Sequence, residues 1–315
     1  MARVLVTRRL PDGGTDPLVT AGHEIVARDD DTALTDDELR DAAGDVDAIV
    51  SLLTDQIDAS VIERGAPRLK VVANVAVGYD NIDVAAATRA GVAVCNTPGV
   101  LDETTADAAF LLILAASRLA SDAESDLRGG RWHGWGINQY LGRDVHGAVL
   151  GLVGYGRIGR AVGRRAAAFA MQVLHHTRHD TGEAGWRPDL DAMLAECDVV
   201  SVHVPLTDAT RRLFDRARIA RMRAGSVLVN TARGPVVDEE ALAAALEAEH
   251  LFAAGLDVFE REPEVHPRLL AAPRTVLLPH IGSASIATRT RMARLACEGV
   301  VAVLAGERPH NLVST

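Results

Sequence analysis

Three side chains that can handle protons and negative charge follow apolar runs in the second half of the chain. Arg233 comes after SVLVN, Glu262 comes shortly after AAGLDV, and His280 comes after TVLLP. A histidine beside a carboxylate can act as a general acid, because the carboxylate stabilises the protonated imidazole. An arginine can hold a carboxylate or polarise a carbonyl oxygen through two parallel hydrogen bonds. Together these residues could bind an oxo acid and protonate its carbonyl group.

Each of the three residues also has a structural interpretation. Strand-end arginines often form ion pairs, loop glutamates are usually solvated, and a lone histidine is more often structural than catalytic. The hypothesis of one shared site depends on position, because the carboxyl ends of strands in an open parallel sheet border the ligand crevice.

A glycine pattern predicts where a cofactor binds. The stretch AVLGLVGYGRIGRAVGRRA, residues 148–166, begins as an apolar strand, breaks at Gly154, Gly156 and Gly159, and continues as a helix. Glycines at this spacing allow a tight turn, close backbone approach to a pyrophosphate, and close packing of helix on strand. The helix N-terminus favours phosphate. A purely structural turn is the alternative, but the position inside a βαβ unit favours dinucleotide binding.

The end of the next strand bears on the choice of coenzyme. VLHHTRHD places Thr177 and Arg178 where NAD sites usually carry an acid, and Asp180 lies a little beyond. Threonine can hydrogen-bond a 2′-phosphate and arginine can pair with it. NADP(H) is therefore favoured and NAD(H) remains possible. The alternative is that Arg178 is a solvated surface charge.

The elements that must position these residues alternate regularly along the chain. Short β-branched runs, from RVLV at 3–6 to TVLL at 275–278, alternate with Ala- and Leu-rich helical patterns. The runs are continuously apolar, as expected for strands covered on both faces. This pattern predicts an α/β protein with parallel sheets, one in each half. A long helix is expected over 102–119, and another from 284 to about 305 that returns the C-terminus to the first domain.

Composition narrows the function classes. The 315 residues suffice for two domains, and a net charge of −10 gives no support for nucleic-acid or membrane-surface binding. The apolar stretch 108–116 is far shorter than the ~20 residues of a membrane span. The three cysteines form no CxxC pair and the histidines show no zinc spacing, so we expect no metal and a reducing, cytoplasmic location.

The chain resembles the D-2-hydroxyacid dehydrogenases, and within them the glyoxylate/hydroxypyruvate reductases. The resemblance rests on segments in a fixed order: NVAVGYDNIDV, NTPGVLDETTADAAFLLILAASR, VGYGRIGRAVGRRA, NTARGPVVDEEAL, AAGLDVFEREP and LLPHIGSAS. It implies two doubly wound domains, a Rossmann dinucleotide-binding domain inserted in a flavodoxin-like substrate domain. The expected substrate domain comprises residues 1–98 plus 287–315. The expected NAD(P)-binding domain comprises 99–286, including a dimerisation helix and loop.

The resemblance also implies roles for individual residues. His280 matches the proton donor, Glu262 its partner acid and Arg233 the substrate-binding arginine, and these are the predicted catalytic residues. Substrate binding is assigned to Leu53, Val77, Gly78, Arg233 and His280. Asp257 matches the acid that holds the nicotinamide carboxamide. Cofactor binding is assigned to Thr105, Gly154, Gly156, Arg157, Ile158, Gly159, Thr177, Arg178, Val204, Pro205, Thr231, Ala232, Asp257 and Gly282.

The function implied by this resemblance is reduction of glyoxylate or hydroxypyruvate by hydride transfer from NAD(P)H, in a homodimer. Other 2-hydroxyacid substrates, such as phosphoglycerate, lactate or a larger acid, are the first alternative. A cofactor-sensing binding protein similar to the corepressors of this fold is the second. Gln139 stands where some of these reductases carry a tryptophan that reaches into the neighbouring subunit. The contribution of the 128–142 loop to substrate preference therefore stays open.

Overall fold

Parallel strands and helices alternate along the computed structural model, which describes residues 1–28 and 31–313. The strands are β1 (Arg3–Val6), β2 (Glu24–Ala27), β3 (Ala48–Ser51), β4 (Val71–Asn74), β5 (Ala93–Cys95), β6 (Val149–Val153), β7 (Gln172–His176), β8 (Val199–Val202), β9 (Val227–Asn230), β10 (Ala253–Leu256) and β11 (Thr275–Leu277). The helices are α1 (Asp16–Thr20), α2 (Asp36–Ala43), α3 (Ala59–Gly65), α4 (Val84–Ala90), α5 (Asp102–Ser117), α6 (Ala120–Arg128), α7 (Arg157–Ala168), α8 (Leu190–Glu196), α9 (Arg216–Ile219), α10 (Glu239–Glu247), α11 (Pro267–Ala271) and α12 (Ile286–Leu304).

The chain divides into two compact units. Unit 1 draws its described residues from Met1–Leu101 and Ala284–Thr315, and unit 2 comprises Asp102–Ser283. The sequence-based boundaries, at 98/99 and 286/287, lie close to these limits. The assignment of substrate binding to the first unit remains a prediction.

Unit 1 is built on a five-stranded parallel sheet in the order β2-β1-β3-β4-β5, the flavodoxin-like arrangement. Every residue of β3 and β4 is buried, because helices cover both faces of the sheet. Several helices begin at a side-chain cap, and α2 begins at a complete capping box between Thr35 and Glu38.

Unit 2 is built on a six-stranded parallel sheet in the order β11-β10-β9-β8-β6-β7. Trp186 forms a further parallel bridge with His175 on the outer side of β7. When this bridge is counted as the third strand position, the order is 3-2-1-4-5-6-7, which is the Rossmann order 3-2-1-4-5-6 extended by β11 as a seventh strand. The predicted fold class, α/β with two doubly wound parallel sheets, is confirmed.

The predicted helix over 102–119 is shorter than expected. α5 ends at Ser117, and Leu119, with φ +53°, starts a new helix, α6. α5 packs on the sheet at Gly255, where an added Cβ would lie 2.9 Å from the Leu112 Cβ. No single described helix is long and apolar enough to cross a bilayer. α5 and α6 reach that length only as a pair, which bends by 69°.

Candidate active site

The three glycines after β6 occupy three different environments. Gly154 has φ +95°, and a Cβ there would lie 2.7 Å from the carbonyl oxygen of His203. A Cβ on Gly159 would lie 2.3 Å from the carbonyl oxygen of Gly154, so this glycine lets α7 pack against the turn. A Cβ on Gly156 would have no neighbour within 4 Å. The turn therefore leaves open space at the middle glycine only.

This open space lies at the start of α7, and the turn through Gly154, Gly156 and Gly159 together with the first turn of α7 is called the glycine cradle below. Gly156 is the N-cap of α7 and no side chain caps the helix there. The first N–H groups of the helix, including those of Arg157 and Ile158, can therefore hydrogen-bond to phosphate. The Arg157 side chain forms an ion pair with Asp102, with 3.0 Å between Nε and Oδ2. The Arg157 guanidinium is thus engaged by α5, and the predicted contact with a cofactor would be made by its backbone N–H.

Four further residues assigned to the cofactor lie in loops next to this cradle: Thr177, Arg178, Val204 and Pro205. Thr177 Oγ1 donates to the carbonyl oxygen of His179 at 2.6 Å. Arg178 is exposed, and no ion pair to it exists within residues 1–28 and 31–313. The backbone nitrogen of Val204 lies 3.0 Å from the position a Cβ on Gly154 would take. The following residue, Pro205, accepts a hydrogen bond from the Thr210 hydroxyl.

Glu262 and His280 form a hydrogen-bonded pair. His280 Nδ1 lies 2.8 Å from Glu262 Oε2, and the backbone N–H of Phe259 donates to the other carboxylate oxygen, Oε1, at 3.0 Å. Partial burial of the Glu262 carboxyl opposes its ionisation. The hydrogen bond from His280, the charge of His280 and the nearby charge of Arg233 outweigh this, so the pKa of Glu262 lies below its ordinary value. The arrangement favours the ionised form of the Glu262 carboxyl.

Arg233 follows β9 in a turn held by the last residue of that strand. The Asn230 side chain accepts from the backbone N–H of Ala232 and donates to the carbonyl oxygen of Arg233. A Cβ on Gly234 would overlap the Phe259 carbonyl, at 1.9 Å from its carbon. This close contact brings the Arg233 turn against the loop that carries Glu262.

Asp257 fixes the loop that follows His280. Its two carboxylate oxygens accept from the backbone N–H groups of Ile281 and Gly282, both at 2.7 Å. Burial raises the pKa of the Asp257 carboxyl, against the effect of these two donors. Gly282 in turn adjoins Thr105 of α5, whose Oγ1 would lie 3.7 Å from an added Cβ. Three residues assigned to the cofactor therefore meet beside the candidate proton donor.

His280 has a left-handed backbone, with φ +54°. Its N–H donates to the carbonyl oxygen of Asp257 at 2.9 Å. Residues other than glycine adopt this region uncommonly, although asparagine, aspartate and histidine do so more often than the rest, and such residues cluster at functional sites. The loop accepts this conformation while Asp257 holds the next two N–H groups.

The other three residues assigned to the substrate, Leu53, Val77 and Gly78, lie in unit 1. Leu53 lies in the turn from Leu52 to Asp55, whose ends are joined by a hydrogen bond from the Leu52 N–H to the Asp55 carboxylate at 2.7 Å. Val77 and Gly78 follow β4 and are half-buried. No described group of three or more His, Cys, Asp or Glu side chains is arranged to hold a metal ion.

Comparisons with known proteins identify the family. Residues 110–282 match the model of the NAD binding domain of D-isomer specific 2-hydroxyacid dehydrogenases. The chain belongs to this family. A glyoxylate reductase of Korarchaeum cryptofilum is 45% identical over 320 residues, which cover 99% of this chain and 96% of the relative. The chain is thus an NAD(P)-dependent D-2-hydroxyacid dehydrogenase, and its cofactor is a nicotinamide dinucleotide.

Solved structures similar to this dehydrogenase cover its whole length. The TT0316 protein of Thermus thermophilus superposes with a TM-score of 0.94 at 44% identity, covering 99% of this chain and 100% of that one. An NADPH-dependent glyoxylate/hydroxypyruvate reductase of Sinorhizobium meliloti, solved with NADP and malonate, gives a TM-score of 0.87 at 34% identity, with 99% and 96% covered.

The dehydrogenase also contains residues that sequence reasoning did not single out. Asn230 and Gly234 hold the Arg233 turn, and Asp257 orders the His280 loop in addition to its predicted role. In unit 1, Asn74 and Asn96 bond to the backbone of Val77 and Gly78. The available signal was an asparagine at the end of a buried strand, which commonly caps a turn.

Proposed function

We propose that this dehydrogenase reduces glyoxylate or hydroxypyruvate to the corresponding D-2-hydroxy acid with a nicotinamide coenzyme. The observation that carries the proposal is the Glu262–His280 pair with the charge of Arg233 beside it, next to a glycine cradle that fits a pyrophosphate. The glyoxylate reductase named above supports this choice among 2-oxo acids.

The coenzyme, when bound, supplies two electrons and one hydrogen to the carbonyl carbon of the substrate. The phosphates would be held by the backbone of the glycine turn and the first turn of α7. The remaining cofactor residues proposed on the family resemblance are Thr105, Thr177, Arg178, Val204, Pro205, Thr231, Ala232, Asp257 and Gly282.

His280 supplies the proton that completes the new hydroxyl group. Its Nδ1 is engaged by Glu262, and no described residue forms a hydrogen bond with Nε2, so Nε2 is the ring nitrogen that can reach the substrate and deliver the proton. Glu262 keeps the imidazolium oriented and charged until the carbonyl oxygen takes that proton. The imidazole is then neutral and regains a proton from water before the next turnover.

Arg233 binds the carboxylate and carbonyl oxygens of the 2-oxo acid, because its planar guanidinium can donate two parallel hydrogen bonds. Its turn is fixed by Asn230, which limits the loss of conformational freedom on binding. The substrate roles of Leu53, Val77 and Gly78 rest on the resemblance and on the geometry of unit 1 alone.

The coenzyme preference is for NADP(H), with NAD(H) as a second possible coenzyme. Arg178 is exposed and without a described ion pair, so it can pair with a 2′-phosphate without breaking an existing bond. Position 177 carries a threonine, whose hydroxyl donates to the carbonyl oxygen of His179. An acidic side chain at this position would repel a 2′-phosphate, and threonine carries no such charge.

The proposed assembly is a homodimer in the cytoplasm. Apolar side chains stand exposed on α5, α6 and the 129–142 loop, a concentration that usually marks a protein interface. These are Leu111, Leu127, Trp132, Trp135, Ile137 and Leu141. The free, buried cysteines agree with a reducing compartment.

A panel of 2-oxo acids, run with NADPH and NADH, tests the proposed function. We expect the highest kcat/KM with glyoxylate or hydroxypyruvate. A higher value with phosphohydroxypyruvate, pyruvate or a branched oxo acid would reassign the substrate within the family. Tight coenzyme binding without turnover of any oxo acid would instead indicate a cofactor-sensing protein.

A further inference from the structure

Three successive backbone carbonyl oxygens after β4 accept hydrogen bonds from other groups of unit 1. The oxygen of Ala76 accepts from the Thr97 N–H at 2.9 Å, and that of Val77 accepts from Asn96 Nδ2 at 2.8 Å. The oxygen of Gly78 accepts from Asn74 Nδ2 at 2.9 Å. Two of these three bonds come from asparagine side chains.

The bonds to these carbonyls determine which way the N–H groups point. In a trans peptide the C=O and the following N–H point in opposite directions. Holding the carbonyls of residues 76–78 therefore turns the N–H groups of Val77, Gly78 and Tyr79 the other way. None of the three donates a hydrogen bond in the part of the chain that the structure describes. Successive backbone N–H groups in a turn can together bind an anion.

We propose that Asn74 and Asn96 are positioning residues that shape this segment, residues 76–79, into a carboxylate-binding turn. The inference rests on the proposed function, because the carboxylate is that of the 2-oxo acid. Neither asparagine touches the substrate. Each asparagine holds a backbone carbonyl oxygen away from the bound carboxylate. A carbonyl oxygen that faced the carboxylate would repel it.

The orientation of the Asn74 amide is fixed by its neighbours. Its oxygen accepts from the Ser51 hydroxyl at 3.1 Å, and its second N–H donates to the Asn81 side chain at 3.0 Å. Asn81 in turn donates to the carbonyl oxygens of Leu52 and Asp55, at 3.1 and 2.8 Å. These five residues thus connect the 76–79 turn to the turn that carries the proposed substrate residue Leu53.

Aspartate is the most informative replacement for Asn74 and for Asn96. It has nearly the shape of asparagine, but both of its oxygens are acceptors, so it repels the carbonyl that asparagine holds. Asn74 is fully buried and Asn96 is half-buried. The Asn96→Asp variant is therefore the one expected to fold with the smaller loss of stability, and Asn96→Ser removes the bond without adding a charge.

The test compares a substrate that has a carboxylate with one that lacks it. For Asn74→Asp, Asn96→Asp and Asn96→Ser we expect the KM for glyoxylate to rise about 10- to 100-fold with a smaller change in kcat. The kcat/KM for glycolaldehyde, which carries the aldehyde without the carboxylate, should stay within about threefold. The KM for the coenzyme should also stay unchanged. Calorimetry of oxalate binding to the coenzyme-loaded enzyme should give a matching loss of affinity.

Asp47→Ala is the matched control. Asp47 accepts from the Arg3 N–H at 2.7 Å, at the amino ends of β1 and β3, whereas the 76–79 turn follows the carboxyl end of β4, so its loss destabilises unit 1 without touching the turn. If the asparagine variants lose glyoxylate and glycolaldehyde activity in parallel, or behave as Asp47→Ala does, the positioning role is wrong while the proposed function stands. A wild-type enzyme that reduces no 2-oxo acid overturns both.

Discussion

Glu262 Oε2 and His280 Nδ1 lie 2.8 Å apart, with side chains that are 28% and 24% exposed. The pair is thus partly shielded from water but still accessible to solvent. Because the pKa of Glu262 is lowered, folding favours its ionised form.

That lowered pKa predicts how the stability of the protein depends on pH. Ionised Glu262 stabilises the fold above its unfolded pKa, and this contribution is lost as the pH falls through the lower, folded pKa. The difference in free energy of unfolding between wild type and Glu262→Gln should therefore be steady near pH 6 and shrink below about pH 4.5. Urea unfolding from about pH 6 to pH 3 measures it. Glu264→Gln, at an exposed position, is the control, and an unchanged difference across this range contradicts the prediction.

Replacing His280 should remove the proton donor while keeping its unusual backbone. Asparagine tolerates the left-handed region, so His280→Asn preserves the loop held by Asp257. We expect kcat/KM for glyoxylate to fall about 10²- to 10⁴-fold with little change in Tm. Steady-state kinetics and thermal unfolding are the measurements. Near-wild-type kcat in this variant would exclude His280 as the acid.

Alanine at two positions of the glycine cradle should have different effects, because one variant should lose affinity for the coenzyme and the other should lose stability. Gly156→Ala adds a methyl group to open space at an allowed backbone conformation, so the fold should keep its Tm while the KM for the coenzyme rises about tenfold or more. Gly159→Ala forces a Cβ towards the carbonyl oxygen of Gly154 and should cost roughly 1–3 kcal/mol of stability.

Thermal unfolding and coenzyme titration of both glycine variants separate space reserved for a ligand from space required by packing. A large loss of Tm in Gly156→Ala, with unchanged coenzyme binding, would show that the middle glycine serves only the turn.

Arg178→Ala should weaken NADPH binding more than NADH binding. An arginine paired with the 2′-phosphate contributes about 1.5–3 kcal/mol, or about 10- to 100-fold in Kd for NADPH. Fluorescence titration with both coenzymes measures the ratio. Arg216→Ala, at another exposed arginine of unit 2, serves as the control. Equal losses of affinity for both coenzymes would show that Arg178 does not bind the 2′-phosphate and acts only as a general surface charge.

A charge placed in the exposed apolar region should disrupt the proposed homodimer. Ile137 is 70% exposed and Leu111 is 52% exposed. Ile137→Asp combined with Leu111→Asp should shift the mass in analytical ultracentrifugation from dimer to monomer, because buried unpaired carboxylates oppose association. A wild type that sediments as a monomer at micromolar concentration contradicts the proposal.

Some of the site could be predicted because its chemistry depends on local spacing. Gly154, Gly156 and Gly159 lie within one strand-to-helix turn, so their separate tasks follow from their positions in sequence. The parallel strands could be predicted for a similar reason, because continuous apolar runs between helical patterns belong to sheets covered on both faces. The end of α5 could not, because nothing in the apolar run signals the left-handed Leu119 where the chain turns into α6.

Residues that act through distant neighbours needed the tertiary structure. Asp257 holds the N–H of Gly282 across 25 positions, and Asn96 reaches the carbonyl of Val77 across 19. A sequence presents these residues only as polar side chains at strand ends.

By itself, the sequence determined the fold class, the glycine cradle and the identity of the candidate acid, carboxylate and arginine. These depend on residue type, hydrophobic period and short-range spacing, which the chain displays directly. Only the tertiary structure decided that Glu262 meets His280, that Asp257 holds the N–H groups of Ile281 and Gly282, and that two asparagine side chains bond to the carbonyls of residues 77 and 78. Hydrogen bonds are directional over about 3 Å, and contacts on that scale between residues far apart in sequence exist only once the sheets have assembled.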